Sequence, residues 1–169
     1  KQVLLDLNRT RTRPPGRQTN FSERFARHVE RAPDATAVSM GWVRLSYHEL
    51  SSRASAIAYR LGLEDVRRDE VVVLFAGRGI ELLAAMIAVQ QAGSAFLPLD
   101  PMIPAARLAH IIHHSVARIV LTTQDCAPTL RVALSGLRRR ERPRVLILEK
   151  LHSVMPPGPS PVVYRPPSS

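Results

Sequence analysis

Between residues 71 and 148, short apolar runs alternate with stretches of helical period, and this alternation constrains the fold more than any other feature of the chain. Val71 to Ala76 is a continuous apolar run, followed by a helical stretch from Ile80. Phe96, Leu97 and Leu99 mark a second run, and a helix from Pro104 follows it. Arg118 to Leu121 and Val145 to Leu148 complete the series, separated by Leu130, Ala133, Leu134 and Leu137 at helical spacing. Strands that alternate with helices imply an α/β fold whose mostly parallel sheet is covered by helices on both faces.

The breaks between these elements have mechanical causes. Ala92-Gly93 closes a helix, because glycine accepts the left-handed conformation that a helix end commonly needs. The strand through Phe96, Leu97 and Leu99 reads as buried, yet Pro98 removes one of its ladder donors, so it belongs at a sheet edge or is irregular there. Asp100-Pro101 stops it, and Pro104 suits the first turn of the next helix, where a missing N–H has no partner to lose.

Upstream, Asn20 and Glu23 have the spacing of a capping box for a helix whose apolar face is Phe21, Phe25 and Val29; Pro33 ends it. Thr36 to Met40 and Val43 to Ser46 read as a hairpin around Gly41. Ser46-Tyr47-His48-Glu49 is a second capping box, with Leu45 and Leu50 at the hydrophobic-staple positions. Leu50, Ala54, Ile57 and Leu61 then form a helical stripe, and Gly62 is placed just past its end.

Length and apolar content, 169 residues at 45% hydrophobic, suit a single core. The most apolar helix, Ile80 to Val89, is too short for a membrane span, and Leu4-Leu5-Asp6-Leu7 is no signal-peptide core. A single cysteine, Cys126, excludes an internal disulfide and fits a reducing compartment, so the cytoplasm is the expected location. All of the 24 basic residues except Lys1 and Lys150 are arginines, and the net charge is +10. They are scattered apart from one dense run, Arg138-Arg139-Arg140 with Arg142 and Arg144, and aromatic residues are only 5% of the chain. A basic balance of this kind supports non-specific attraction to nucleic acid rather than a reading module.

Four constellations could carry chemistry, and each has a simpler explanation. Gly77-Arg78-Gly79 follows a strand, and Asp100 lies 21 residues after Gly79, but Leu82 stands where the dinucleotide fingerprint needs its third glycine. His110 and His114 share a helix at i, i+4, a zinc-compatible spacing, with His113 beside them; no third ligand can be named, and a solvated helix face accounts for all three. Glu81 and Asp100 could pair for acid–base work, although Glu81 sits in a helix's first turn and Asp100 in a turn, where carboxylates are favoured anyway. Cys126, in an expected loop, has no histidine near it in sequence to activate a thiolate.

The order Ala92-Gly93-Ser94-Ala95-Phe96-Leu97-Pro98-Leu99-Asp100-Pro101, with Pro104 and Arg107, is not demanded by packing alone. It resembles a signature of the adenylate-forming enzymes, and most closely that of the amino-acid adenylation domains of non-ribosomal peptide synthetases. There a helix ends in Lys-Ala-Gly, a strand ends in Pro-Leu-Asp-Pro, and a Tyr-Pro-x-x-Arg helix start follows. Leu45-Ser46-Tyr47-His48-Glu49-Leu50 is similar to the same family's Leu-Thr-Tyr-x-Glu-Leu motif and stands upstream at the expected place.

The resemblance implies three segments: an interdomain linker over 1–19, the amino-terminal part of the large domain of an adenylate-forming enzyme over 20–155, and a proline-rich extended tail over 156–169 that approaches the phosphate-binding loop. The complete domain would use ATP and magnesium to activate an amino acid and would load a phosphopantetheine thiol on a carrier protein, with condensation-type domains as neighbours. The family's phosphate loop, specificity pocket, ribose-holding aspartate and catalytic lysine have no counterpart in the 169 residues. No catalytic, cofactor-binding or metal residue is therefore assigned, and this stretch alone is expected to be inactive. A non-catalytic interaction module, marked by exposed apolar surface, and a basic nucleic-acid binder, marked by steep salt dependence, are the alternatives.

Overall fold

The computed structural model describes residues 21–151, so the linker over 1–19, the Asn20 cap and the tail over 156–169 lie outside the described residues. The four apolar runs become β3 (Val71–Phe75), β4 (Ala95–Leu99), β5 (Ile119–Thr122) and β6 (Arg144–Ile147) of one sheet in the order β4-β3-β5-β6. Every neighbouring pair is parallel. Between them run α3 (Ile80–Gln91), α4 (Ala105–Ser115) and α5 (Ala127–Ser135).

This strand order decides which face each helix covers. Crossovers between parallel strands are right-handed, so a connection that steps one way along the sheet lies on one face and a connection that steps back lies on the other. The step from β3 to β4 runs outward, and α3 packs on one face with Val72, Leu74, Ile119 and Leu121. The steps from β4 to β5 and from β5 to β6 run in the opposite sense, so α4 and α5 bury Leu108, Ile112, Leu130 and Ala133 on the other face with Val73, Phe75 and Val120. The alternation of pleated side chains along β3 and β5 thereby feeds two separate cores.

α3 is apolar nearly all round because it is sandwiched: the sheet lies beneath it and α2 (Tyr47–Leu63) packs on its outer side. α1 (Phe21–Arg31) and the hairpin of β1 (Thr36–Met40) and β2 (Val43–Ser46) complete that outer layer. The hairpin turns at Gly41, whose φ of 57° is left-handed, and a register shift between Thr36 and Val38 adds a bulge that no sequence signal marks. Leu50, Ala54, Ile57 and Leu61 are all buried, as their spacing requires.

The second capping box forms in full. The Ser46 backbone N–H donates to Glu49 Oε2 at 2.8 Å, and the Glu49 N–H donates to Ser46 Oγ at 3.2 Å; Leu45 and Leu50 beside it are buried. The hydrogen bond from the Ser46 N–H, then that of its hydroxyl, then the positive charge of Arg53 hold the Glu49 carboxyl below its ordinary value of 4.5. A carboxylate depressed on folding stabilises above its unfolded pKa, and this contribution is lost as pH falls through the lower folded value. Ser46→Ala should cost about 1 kcal/mol of local stability at neutral pH. The cap's pH-dependent part should be complete above the ordinary glutamate value and fade only below it, and amide exchange over residues 47–50 reads both effects.

Several expectations are corrected. Gly62 lies inside α2, which ends one residue further at Leu63 with Glu64 as its cap, and the left-handed residue is Asp65 (φ 53°). There Val66 N–H donates to Leu61 O and Asp65 N–H to Gly62 O, a Schellman arrangement in which aspartate replaces the usual glycine. Gly93 does play its expected part at the end of α3: φ is 75°, and the same two-bond pattern runs from Ser94 to Val89 and from Gly93 to Gln90. β4 is the edge strand that Pro98 demanded, but for that reason only Leu99 is buried, while Phe96 and Leu97 are half-covered. Pro104 precedes α4 as its cap residue, and β5 and β6 each sit one residue from the expected bounds. Leu137 falls beyond the end of α5 and packs on the second core from the following loop.

Candidate functional site

Parallel α/β sheets bind ligands outside the carboxyl ends of their strands, where neighbouring connections diverge to opposite faces. Here that point lies between β3 and β5, because the loop after β3 leads to α3 on one face and the loop after β5 leads to α5 on the other. The residues that open onto it are Gly77, Arg78 and Gly79 from the first loop and Thr123 and Gln124 from the second. Beneath them the wholly buried Thr122 donates its hydroxyl to Phe75 O at 2.7 Å, which ties the two strand ends together. The Gln124 N–H donates to both carboxylate oxygens of Glu149, at 3.0 and 3.1 Å, which anchors the second loop to the turn after β6. Sequence reasoning missed both ties, since a threonine ending an apolar run and a glutamate 25 residues from its partner carry no local signal.

The candidate residues read from sequence do not converge on that point as a catalytic set. Neither Gly77 nor Gly79 has a left-handed φ, and a Cβ at Gly79 would meet Met40 and the Gly77 carbonyl only at ordinary contact distance, so neither glycine is required by backbone conformation or by packing among the described residues. Asp100 Oδ1 accepts from the Met102 N–H at 2.8 Å, the turn role expected of it, and Glu81 pairs with Arg53 of α2 at 2.9 Å. These two carboxylates therefore serve separate structural roles. Leu82 is half-buried against the first core, and Arg107 is exposed at the start of α4. His110, His113 and His114 are all exposed, the rings of His110 and His114 standing 4.2 Å apart between centroids. Among the described residues no group of three or more histidine, cysteine, aspartate or glutamate side chains could hold a metal ion. Cys126 lies in the turn that leads into α5, as its cap residue, and it is buried in the second core. Among the described residues no helix is long and apolar enough to cross a membrane.

What this arrangement offers is a wall: a parallel sheet whose carboxyl ends are cross-tied by Thr122 to Phe75 and by Gln124 to Glu149. Residues 25–161 match the family of AMP-binding enzymes. The chain is 37% identical over 124 residues to gramicidin S synthase 2 of Brevibacillus brevis, a match that covers 73% of this chain and 3% of that protein. It is 31% identical over 157 residues to tyrocidine synthase 2 of Brevibacillus parabrevis, covering 90% of this chain and 4% of that protein. The fold superposes on the non-ribosomal peptide synthetase FmoA3 in its AMPPNP-bound form with a TM-score of 0.76 and 30% identity, over 94% of this chain and 16% of that one. The chain thus spans a small part of the length of these relatives. On its match over residues 25–161, the chain belongs to the AMP-binding enzymes, and its sequence and fold match the adenylation region of non-ribosomal peptide synthetases.

Proposed function

We propose that residues 20–155 form the amino-terminal segment of an amino-acid adenylation domain, preceded by an interdomain linker over 1–19 and followed by an extended approach, 156–169, to a phosphate-holding loop elsewhere in the protein. The complete enzyme joins an amino-acid carboxylate to the α-phosphate of ATP, releases pyrophosphate, and passes the acyl group to the phosphopantetheine thiol of a carrier protein. The observation that carries this reading is the family match across residues 25–161, which runs through both motifs and through the strands that build the sheet. The similar proteins include synthases of gramicidin S and tyrocidine, and the similar structure with AMPPNP bound is a non-ribosomal peptide synthetase.

Within that enzyme the described residues act as framework. β3 and β5 present the carboxyl end of the sheet, the Thr122–Phe75 bond holds their spacing, and the Asp100 turn reverses the chain out of β4. Magnesium bound to ATP would offset phosphate charge. The described residues do not form a site for it, so no step is assigned to it. Residues 1–169 alone are proposed to be catalytically inactive.

Amino-acid-dependent ATP–pyrophosphate exchange tests this reading. The intact polypeptide that carries this segment should exchange label with one or a few amino acids, and the 169-residue chain should exchange with none. Exchange supported only by aryl or fatty acids would overturn the amino-acid assignment, and exchange by the short chain would overturn its inactivity.

A further inference from the structure

The net excess of positive charge among the described residues comes from one stretch. Residues 131–144 hold six arginines and one glutamate, whereas the remaining described residues hold twelve basic and twelve acidic side chains. This stretch runs from α5 through the Arg139–Glu141 turn into β6. The fold brings it beside the C-terminal ends of α2 and α4, around a cleft of about 950 Å³ at the amino ends of β5 and β6. The cleft therefore opens at the end of the sheet opposite to the one where the substrate site of such a sheet forms.

Two features make this cleft more than a solvated charge run. Its lining includes Leu63 and Val116, which are 57% and 83% exposed, so apolar surface sits among the charges. Val116 is also held at φ 54°, a left-handed conformation that β-branched residues rarely adopt. The second feature is how the arginines are engaged. Arg142 caps the end of α5 through Ser135 O and Leu137 O, Arg144 pairs with Glu64 at 2.7 Å, and Arg118 lies 3.6 Å from Glu70. Arg140 meets only its neighbour Glu141, at 4.0 Å, while Arg138 and Arg139 make no ion pair among the described residues.

We infer that this cleft is a docking surface for an acidic polypeptide segment bearing an apolar anchor residue. The anchor seats on Leu63 and Val116, and flanking carboxylates pair with Arg140 on the cleft lining and with the exposed Arg138 and Arg139 that precede it in the chain. Charge selects this occupant over the others. The residues outside the described ones, 1–20 and 152–169, carry six basic residues and one acidic residue, Asp6, and the described residues of a second copy carry a net charge of +5, so both are repelled. A nucleic acid is disfavoured because no phenylalanine, tyrosine or tryptophan lines the cleft for base stacking. The inference stands whether or not the adenylation reading holds.

Fluorescence anisotropy of a labelled peptide of three Glu-Leu-Glu-Glu-Leu-Asp repeats, titrated with the intact polypeptide, tests it. Saturable binding is expected, weakening at least about tenfold between low and physiological salt. Arg138→Glu, Arg139→Glu and Arg140→Glu together should weaken it at least about tenfold, whereas lysine at the same positions should retain it. Val116→Asn, which suits a left-handed backbone but removes the apolar contact, should weaken it about threefold without loss of folding. The same charge reversal at Arg24, Arg27 and Arg44 should leave it unchanged. Absence of saturable binding, equal losses from the two reversals, or tighter binding of an oligothymidylate of equal charge would each overturn the proposal.

Discussion

Replacement of Phe75 by alanine is expected to lower stability by about 3–5 kcal/mol, a large share of the roughly 5–15 kcal/mol that holds a domain folded. Phe75 is wholly buried at the carboxyl end of β3, the strand flanked on one side by β4 and on the other by β5. It stands in register with Leu99 and Thr122, and its carbonyl receives the Thr122 hydroxyl. A strand bonded along both edges cannot move to fill the space a lost ring leaves, so the cavity cost adds to the lost burial. Native-state hydrogen exchange of the β3 and β5 amides reads this loss unit by unit, even within a long polypeptide. Phe21, about half exposed on α1, provides the contrast: its alanine variant should change protection by less than about 1 kcal/mol. Equal effects at the two positions would contradict the core described here.

The second large effect is expected from the opposite kind of change. α2 and α3 pack directly on each other, and the core they share contains Ala54 and Ala58 from one helix and Ala84, Ala85 and Ala88 from the other, all buried. Small residues on both helices let the backbones approach closely and leave no room for added methyl groups. Ala54→Leu should therefore cost about 1–3 kcal/mol despite its higher apolarity, because the extra volume forces side chains off their rotamers or the helices apart. Ser52→Leu, on the exposed face of the same helix, should be close to neutral. Exchange protection in α2 and α3 distinguishes them, and a neutral Ala54→Leu would mean that this interface is looser than described.

These contrasts show which parts of the fold the chain discloses on reading. The Ser46–Glu49 box, the Gly41 turn, the Gly93 helix end and the edge position of Pro98 are each visible because the deciding interaction is local or intrinsic to the residue: a side chain bonding its own backbone three residues away, a φ only glycine adopts freely, a missing N–H. The end of α2 departs from its sequence signal for a related reason. Gly62 carries the usual signal, but Asp65 adopts the left-handed conformation instead and leaves the helix longer, with Glu64 positioned to pair with Arg60 and Arg144 at once. Burial along β4 is less than its apolar content suggests, because that content says nothing of whether a neighbour lies on each side.

The candidate site is less legible than the fold. The Pro-Leu-Asp-Pro strand end and the Leu-Ser-Tyr-His-Glu-Leu helix start carry the family resemblance, yet in the structure they are punctuation, and no catalytic constellation appears among the described residues. The convergence of Arg140 with Leu63 and Val116 cannot be read from the chain at all. Leu63 lies more than fifty positions from Val116, and only the tertiary fold brings the ends of α2 and α4 and the α5–β6 connection together at one end of the sheet.

From sequence alone, element types, most of their boundaries, the Ser46–Glu49 cap, the Gly93 helix end and the family are determined, because periodicity, backbone permissiveness and short-range hydrogen bonds act within a few residues. Strand order, the division of the helices between two faces, the Thr122 and Glu149 ties and the arginine-rimmed cleft are decided only by tertiary structure. They depend on which distant apolar faces bury each other, and that choice is made by the sheet as a whole.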